Sequence, residues 1–152
     1  KKKTIYPATP KGIMTLLKAY DINVSGMNAV IVGRSNIVGF PVARLLMDAG
    51  ATITVCHRQT KDLSLHTKQA DLIIASAGQP ELITKEMVKQ GAIVVDVGVN
   101  RVNDKLVGDV HFESVKEVAS YLSPVPKGVG PMTINGLLEN TYELYLDHIE
   151  KN

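Results

Sequence analysis

Cysteine is nearly absent: Cys56 is the single thiol among 152 residues. No disulfide can form within the chain, which fits a protein of the reducing cytoplasm. Cys56 ends a strand pattern and reads as a small core residue, not a nucleophile. Charge of one sign is equally scarce. Seventeen basic against 15 acidic side chains leave a net charge of +2, too little to argue for nucleic acid. Lys1-Lys2-Lys3 is the one basic run and reads as a solvated end. No apolar run reaches the roughly 18 residues of a membrane span, and no secretory signal is legible. What remains is a globular balance of 45% apolar and 21% charged residues. The length suits one domain with a real core and is too short for two.

The chain is organised around Gly33-Arg34-Ser35-Asn36-Ile37-Val38-Gly39-Phe40-Pro41. Before it runs Asn28-Ala29-Val30-Ile31-Val32, a β-branched run that predicts a strand buried on both faces. After it, Val42, Leu45, Leu46 and Ala49 recur at helical spacing until Gly50. Strand, glycine turn and helix together make a phosphate site, because a helix N-terminus offers unpaired N–H groups and about half a positive charge. Gly33 can adopt a backbone conformation closed to other residues, and Gly39 permits close approach to the sheet or a ligand. The spacing departs from G-x-G-x-x-G, since Ser35 stands at the second glycine and the next glycine comes one residue late. A tight turn without a ligand is the alternative.

Further strands are expected at 52–56, 71–76 and 92–97. Helices are expected after Thr9-Pro10, with Ile13, Leu16, Leu17 and Tyr20 on one face and Thr9 as cap, and after Thr84, with Met87 and Val88. Shorter helices are expected at 63–68 and 114–118. Asn103-Asp104 predicts a hairpin turn between Val102 and Val110. A final helix over 132–149 has Ile134, Leu137, Leu138, Tyr142, Tyr145 and Ile149 as its main stripe. Leu144 and Leu146 fall outside that stripe, as scattered surface leucines or as a second packing face. Alternating strands and helices predict an α/β fold with a doubly wound parallel sheet, and ligands in such sheets sit beyond the strands' carboxyl ends. Gly33-Arg34-Ser35, His57-Arg58, Ala77-Gly78 and Gly98-Val99-Asn100 all fall there.

A ribose hydroxyl in an NAD site takes an acid at the end of the second strand. Here that end is His57-Arg58. A guanidinium suits a phosphate instead, and Arg34 could face the same phosphate. The alternative is that Arg58 is an exposed loop arginine. His57 reads as a solvated loop histidine.

Pro7-Ala8-Thr9-Pro10-Lys11-Gly12, the turn from Gly33 to Pro41, Cys56-His57-Arg58-Gln59-Thr60, Gly108-Asp109-Val110 and Gly128-Val129-Gly130-Pro131-Met132-Thr133 occur in this order. Together they resemble the nucleotide-binding domain of the bifunctional methylene-tetrahydrofolate dehydrogenase/methenyl-tetrahydrofolate cyclohydrolase family, over nearly the whole chain. Ala8, His111 and Lys127 depart from the pattern, the last where the family has glycine. A positive φ there would demand a rearranged loop. The resemblance implies a Rossmann-like domain spanning 1–152, without the family's N-terminal catalytic domain. The terminal helices would pack toward that domain.

It implies an enzyme of one-carbon metabolism. A hydride passes from methylene-tetrahydrofolate to NADP, and the methenyl product is hydrolysed to formyl-tetrahydrofolate. Gly33, Arg34, Ser35, Ile37 and Arg58 would hold the adenosine-phosphate end of NADP. Ala77, Gly78, Val99 and Asn100 would meet its middle and nicotinamide end. Gly130, Pro131, Met132 and Thr133 would form the rim toward the folate. No catalytic residue and no metal site is carried onto this chain, which is expected to be inactive by itself. Its expected partners are the cofactor, the folate and a second copy, in a cytoplasmic homodimer that binds neither nucleic acid nor membrane. The rivals are a split dehydrogenase resembling shikimate dehydrogenase, against which the Gly130–Thr133 loop argues, and a free-standing nucleotide-binding or assembly module without catalysis.

Overall fold

In the computed structural model, which describes residues 5–150, the elements in chain order are α1 (Ala8–Ala19), β1 (Asn28–Val32), α2 (Gly39–Asp48), β2 (Thr52–Cys56), α3 (Leu63–Thr67), β3 (Leu72–Ala75), β4 (Ile93–Asp96), β5 (Asn100–Val102), β6 (Lys105–Val107), α4 (Phe112–Val115), β7 (Tyr121–Leu122) and α5 (Val129–Ile149). Lys1-Lys2-Lys3 lies outside the described residues. Among the described residues no helix is long and apolar enough to cross a membrane.

Five strands form one parallel sheet in the order β2-β1-β3-β4-β7. Its central strands are apolar without alternation because both faces are covered. Ala29, Ile31, Leu72, Ile74 and Val95 join Ile13, Leu17, Val42 and Leu46 in one core. Val30, Val32, Ile73, Ala75 and Val94 join Cys56, Ile83, Val110 and Val115 in the other. Successive residues of one strand thus enter opposite cores, and full burial of each large aliphatic side chain contributes about 1.5–3 kcal/mol. Burial also raises the Cys56 thiol above its usual value. Asn103 and Asp104 both have positive φ, the twist that a two-residue hairpin between β5 and β6 needs.

Several elements differ from the sequence expectation. Thr9 does not cap α1. Pro7 holds that position, and the Thr9 hydroxyl instead meets that of Thr133 at 2.8 Å. The helix expected after Thr84 shrinks to one 3-10 turn, Lys85–Met87. The flanking backbone is committed elsewhere: the Ile83 N–H donates to Asp109 O, and the Gly91 N–H to Val118 O. The helix expected at 114–118 starts two residues earlier, because the His111 side chain accepts from the Ser114 N–H and caps it. Tyr121–Leu122 forms an unexpected edge strand beside β4. Lys127 takes a positive φ of 73°, a conformation that a residue with a Cβ adopts at a cost.

The largest difference is in α5. Its inward side is Val129, Thr133, Gly136, Asn140 and Glu143, seated on α1. Backbones approach closely there, since a Cβ on Gly136 would collide with the Ala8 carbonyl and one on Gly12 with the Met132 carbonyl. Lys11 Nζ donates to Asn140 Oδ1 at 3.1 Å and to Glu143 Oε1 at 2.7 Å. Asn140 Nδ2 donates to Tyr6 O at 2.8 Å. The apolar stripe expected inside therefore faces out. Ile134 and Leu138 are each 64% exposed, Tyr142 is 62% exposed, and Leu144 and Leu146 are exposed outside that stripe. Tyr20, expected on the buried face of α1, is exposed and packs edge-on against Tyr121.

Candidate functional site

Three strand ends on the carboxyl edge of the sheet enclose a cleft of about 850 Å³. From β1 come Gly33, Arg34 and Ser35, from β2 His57 to Thr60, and from β3 Ser76 to Gln79, with Leu63 and Leu82 as apolar floor. Gly33 turns out of β1 at φ 126°, and a Cβ there would collide with the Ser76 carbonyl. The glycine therefore serves the crossing of two strand ends as well as the turn. Gly39 in turn packs on the Gly33 carbonyl.

The N-terminus of α2 is not a row of unpaired donors. Ser35 Oγ accepts from the Val38 and Gly39 N–H groups at 3.1 and 3.2 Å, and the Ser35 carbonyl accepts from Phe40. Pro41 has no N–H to give. The turn caps its own helix, because a serine four residues ahead of Gly39 reaches back over the first turn. This leaves the Ser35 hydroxyl with both lone pairs used and its proton free to donate outward, toward an anionic oxygen. The positive end of the helix dipole lies behind it.

The β2 end is a tight turn. The His57 N–H donates to Thr60 Oγ1 at 2.9 Å, the Thr60 N–H to His57 O at 2.8 Å, and the Gln59 N–H to His57 Nδ1 at 3.2 Å. His57 is thus a turn-former, and Arg58 projects from the tip. Among the described residues, the arginines that form ion pairs are Arg44 and Arg101. Arg34 and Arg58 face a cleft whose lining contains no carboxylate. This donor set suits a ligand with several phosphate oxygens, and the residues present fit a dinucleotide phosphate.

The third wall rests on two acids that the sequence reading did not single out as site residues. Asp96 and Asp109 are buried. Asp109 Oδ2 accepts from the Ala77 and Gly78 N–H groups, and Oδ1 from the Gln79 N–H and Asn100 Nδ2. Asp96 accepts from the backbone of Gly98, Asp109 and Val110. Burial pushes the Asp96 carboxyl up to about 6, against the pull of those three N–H groups. One signal was present in the sequence: an acid inside the apolar run Val94-Val95-Asp96-Val97 demands buried donors.

Of the residues expected at the site, the cleft brings together Gly33, Arg34, Ser35, Arg58, Ala77 and Gly78. Ile37 lies outside its lining, 71% exposed on the turn, and Val99 is 66% exposed beyond β4. Asn100 lies outside the lining and donates from Nδ2 to Asp109. Gly130, Pro131, Met132 and Thr133 form the first turn of α5 against α1, and none of them lines the cleft. Thr60, Leu63, Gln79 and Leu82 line it without having been expected there.

A family model described as "Tetrahydrofolate dehydrogenase/cyclohydrolase, NAD(P)-binding domain" matches residues 7–149. The "Bifunctional protein FolD" of Acholeplasma laidlawii is 58% identical over 146 residues, covering 96% of this chain and 53% of the relative. That of Campylobacter jejuni is 62% identical over 136 residues, covering 89% and 48%. The crystal structure of the Campylobacter jejuni enzyme superposes with a TM-score of 0.92 at 59% identity over 93% of this chain and 51% of that one. The Trypanosoma brucei enzyme, solved with NADP cofactor and inhibitor, gives 0.93 at 38% identity over 98% and 53%. The chain spans about half the length of the curated relatives it matches.

Proposed function

Because the chain belongs to the family of NAD(P)-binding domains of tetrahydrofolate dehydrogenase/cyclohydrolases, we propose that it is the NADP-binding half of an enzyme that oxidises methylene-tetrahydrofolate and hydrolyses the methenyl product to formyl-tetrahydrofolate. The observation that carries the choice of NADP is the cleft's charge: Arg34 and Arg58 face it, and no carboxylate lines it. The reaction is the one for which the Campylobacter jejuni enzyme, a methylenetetrahydrofolate dehydrogenase/cyclohydrolase, is named.

When bound, NADP supplies the hydride acceptor. Arg58, with Arg34 from the end of the neighbouring strand, pairs with the phosphate that distinguishes NADP from NAD, since a guanidinium matches phosphate oxygens in a bidentate way. The Ser35 hydroxyl donates to a second phosphate at the positive end of α2. The backbone of Ala77 and Gly78 bounds the middle of the cofactor. Leu63 and Leu82 exclude water beneath it.

The folate would sit mainly on the half of the protein that lies outside this chain. The open apolar face of α5 fits a cover from that half or from a second copy in a homodimer. Hydride transfer requires the donor carbon held roughly 3–3.5 Å from its acceptor in good alignment. The test is NADPH formation from methylene-tetrahydrofolate by this chain, then with the remaining half of a relative added in trans. The expectation is no turnover by the chain and recovery on mixing. Turnover by the chain itself, or none after mixing with a half that is folded and docked, would contradict the proposal.

A further inference from the structure

The donors of one cleft wall converge on a carboxylate behind it. Ala77, Gly78 and Gln79 are exposed residues that line the cleft. Their N–H groups nevertheless point away from solvent, to Asp109, at 2.6, 2.8 and 3.0 Å. Asn100 Nδ2 adds a fourth donor at 2.9 Å. Asp109 is itself held from behind: its own N–H and that of Val110 donate to Asp96, each at 3.0 Å. Asp96 also takes the Gly98 N–H at 2.9 Å. Space for both carboxylates comes from two glycines, because a Cβ on Gly98 would collide with Asp109 and one on Gly108 with Asp96. The end of β3, the end of β4 and the 108–110 segment are thereby tied at one point.

The chemistry of that point is selective. Four donors converge on Asp109, and an ionised carboxylate offers about four lone-pair sites and no donor of its own. An asparagine would turn an NH2 group toward backbone N–H groups that already point at it.

We propose that Asp109, anchored by Asp96, is a positioning residue of the nucleotide cleft: it fixes the 77–79 wall against the middle of the dinucleotide without touching the ligand. This rests on reading the cleft as the NADP site. The tie itself is independent of any ligand.

Two measurements test it. The first is amide hydrogen exchange in the unliganded, unaltered chain. The amides of Ala77, Gly78 and Gln79 are expected to exchange on the order of a hundredfold slower than open-loop amides. Exchange at open-loop rates would overturn the proposal, and this arm needs no variant to fold. The second is titration calorimetry of Asp109→Asn, with folding checked by circular dichroism, against NADP and against adenosine 2′,5′-bisphosphate. That fragment carries phosphates for Arg34 and Arg58 and lacks the pyrophosphate bridge and nicotinamide half that the proposal sets against the 77–79 wall. NADP is expected to weaken tenfold or more, and the fragment by less than about twofold, a factor of ten being about 1.4 kcal/mol. Equal weakening of both would show a merely structural role, and no weakening would show none; either overturns the proposal. Slow amides in an unaltered chain that binds no NADP would contradict the cofactor reading instead, and would leave the tie standing.

Discussion

Arg58 sits on a turn whose three hydrogen bonds, between His57, Gln59 and Thr60, leave its guanidinium projecting over the cleft. A charge-assisted bond contributes about 1.5–3 kcal/mol. Arg58→Ala is therefore expected to weaken NADP roughly tenfold or more while leaving NAD nearly unchanged. Equal losses for both in titration calorimetry would remove the phosphate assignment. This residue was legible in the sequence because it falls where the fold requires an acid for NAD, so a cation there is informative by itself. Asp109 was legible only as part of a motif, since nothing in Gly108-Asp109-Val110 says that its donors come from residues 77–79, some thirty positions away. Its neighbour Asp96 gives a pH prediction. Burial, with a smaller push from the Asp109 charge, raises its carboxyl to about 6, above the ordinary value of about 3.9. A raised carboxyl favours the protonated folded state. Its contribution to stability is thus full below the unfolded value and is lost as pH rises through about 6. The carboxyl carbon shift of Asp96, followed by NMR against pH, should show a midpoint near 6, and a midpoint at or below about 4 would contradict the buried environment.

Among the elements, the strands were legible except the two-residue edge strand Tyr121–Leu122, and the terminal helix was legible only in part. Residues 28–32 and 72–75 are short apolar runs bounded by turn residues, and burial on both faces is the one arrangement that uses every side chain of such a run. The stripe on α5 is as regular, but periodicity reports that a face is apolar and not what covers it. Here the close seam with α1 is made by Gly136, Asn140 and Thr133, residues that a hydrophobic pattern ignores, and the apolar stripe is left open. The Thr84 helix failed for a related reason, since long-range backbone bonds from Ile83 and Gly91 overrode local propensity. A joint substitution Ile134→Glu/Leu138→Glu removes two large apolar groups from the open face and touches no core contact. It is expected to change the urea midpoint by less than about 1 kcal/mol equivalent while reducing hydrophobic-dye binding and self-association. Loss of folding in that variant would show that the stripe is an internal face after all.

At the scale of the whole molecule, the parallel sheet gathers Gly33, Arg34, Ser35, Arg58, Ala77 and Gly78 at one edge although they span more than forty positions of sequence. That gathering follows from topology, because every strand of a parallel sheet ends on the same side. It was legible once the strand–helix alternation was read. The folate-side rim was not legible in the same way. Gly130 to Thr133 lie in the first turn of α5 against α1 and do not line the cleft. A chain of about half the relatives' length is expected to bind and not to turn over. Binding is accordingly the quantity to measure: calorimetric titration of the unaltered chain with NADP and with NAD under identical ionic strength. The expected result is one site per chain, with NADP bound at least about tenfold more tightly than NAD, as one charge-assisted phosphate contact supplies. Absence of NADP binding, or NAD bound as tightly as NADP, would contradict the account.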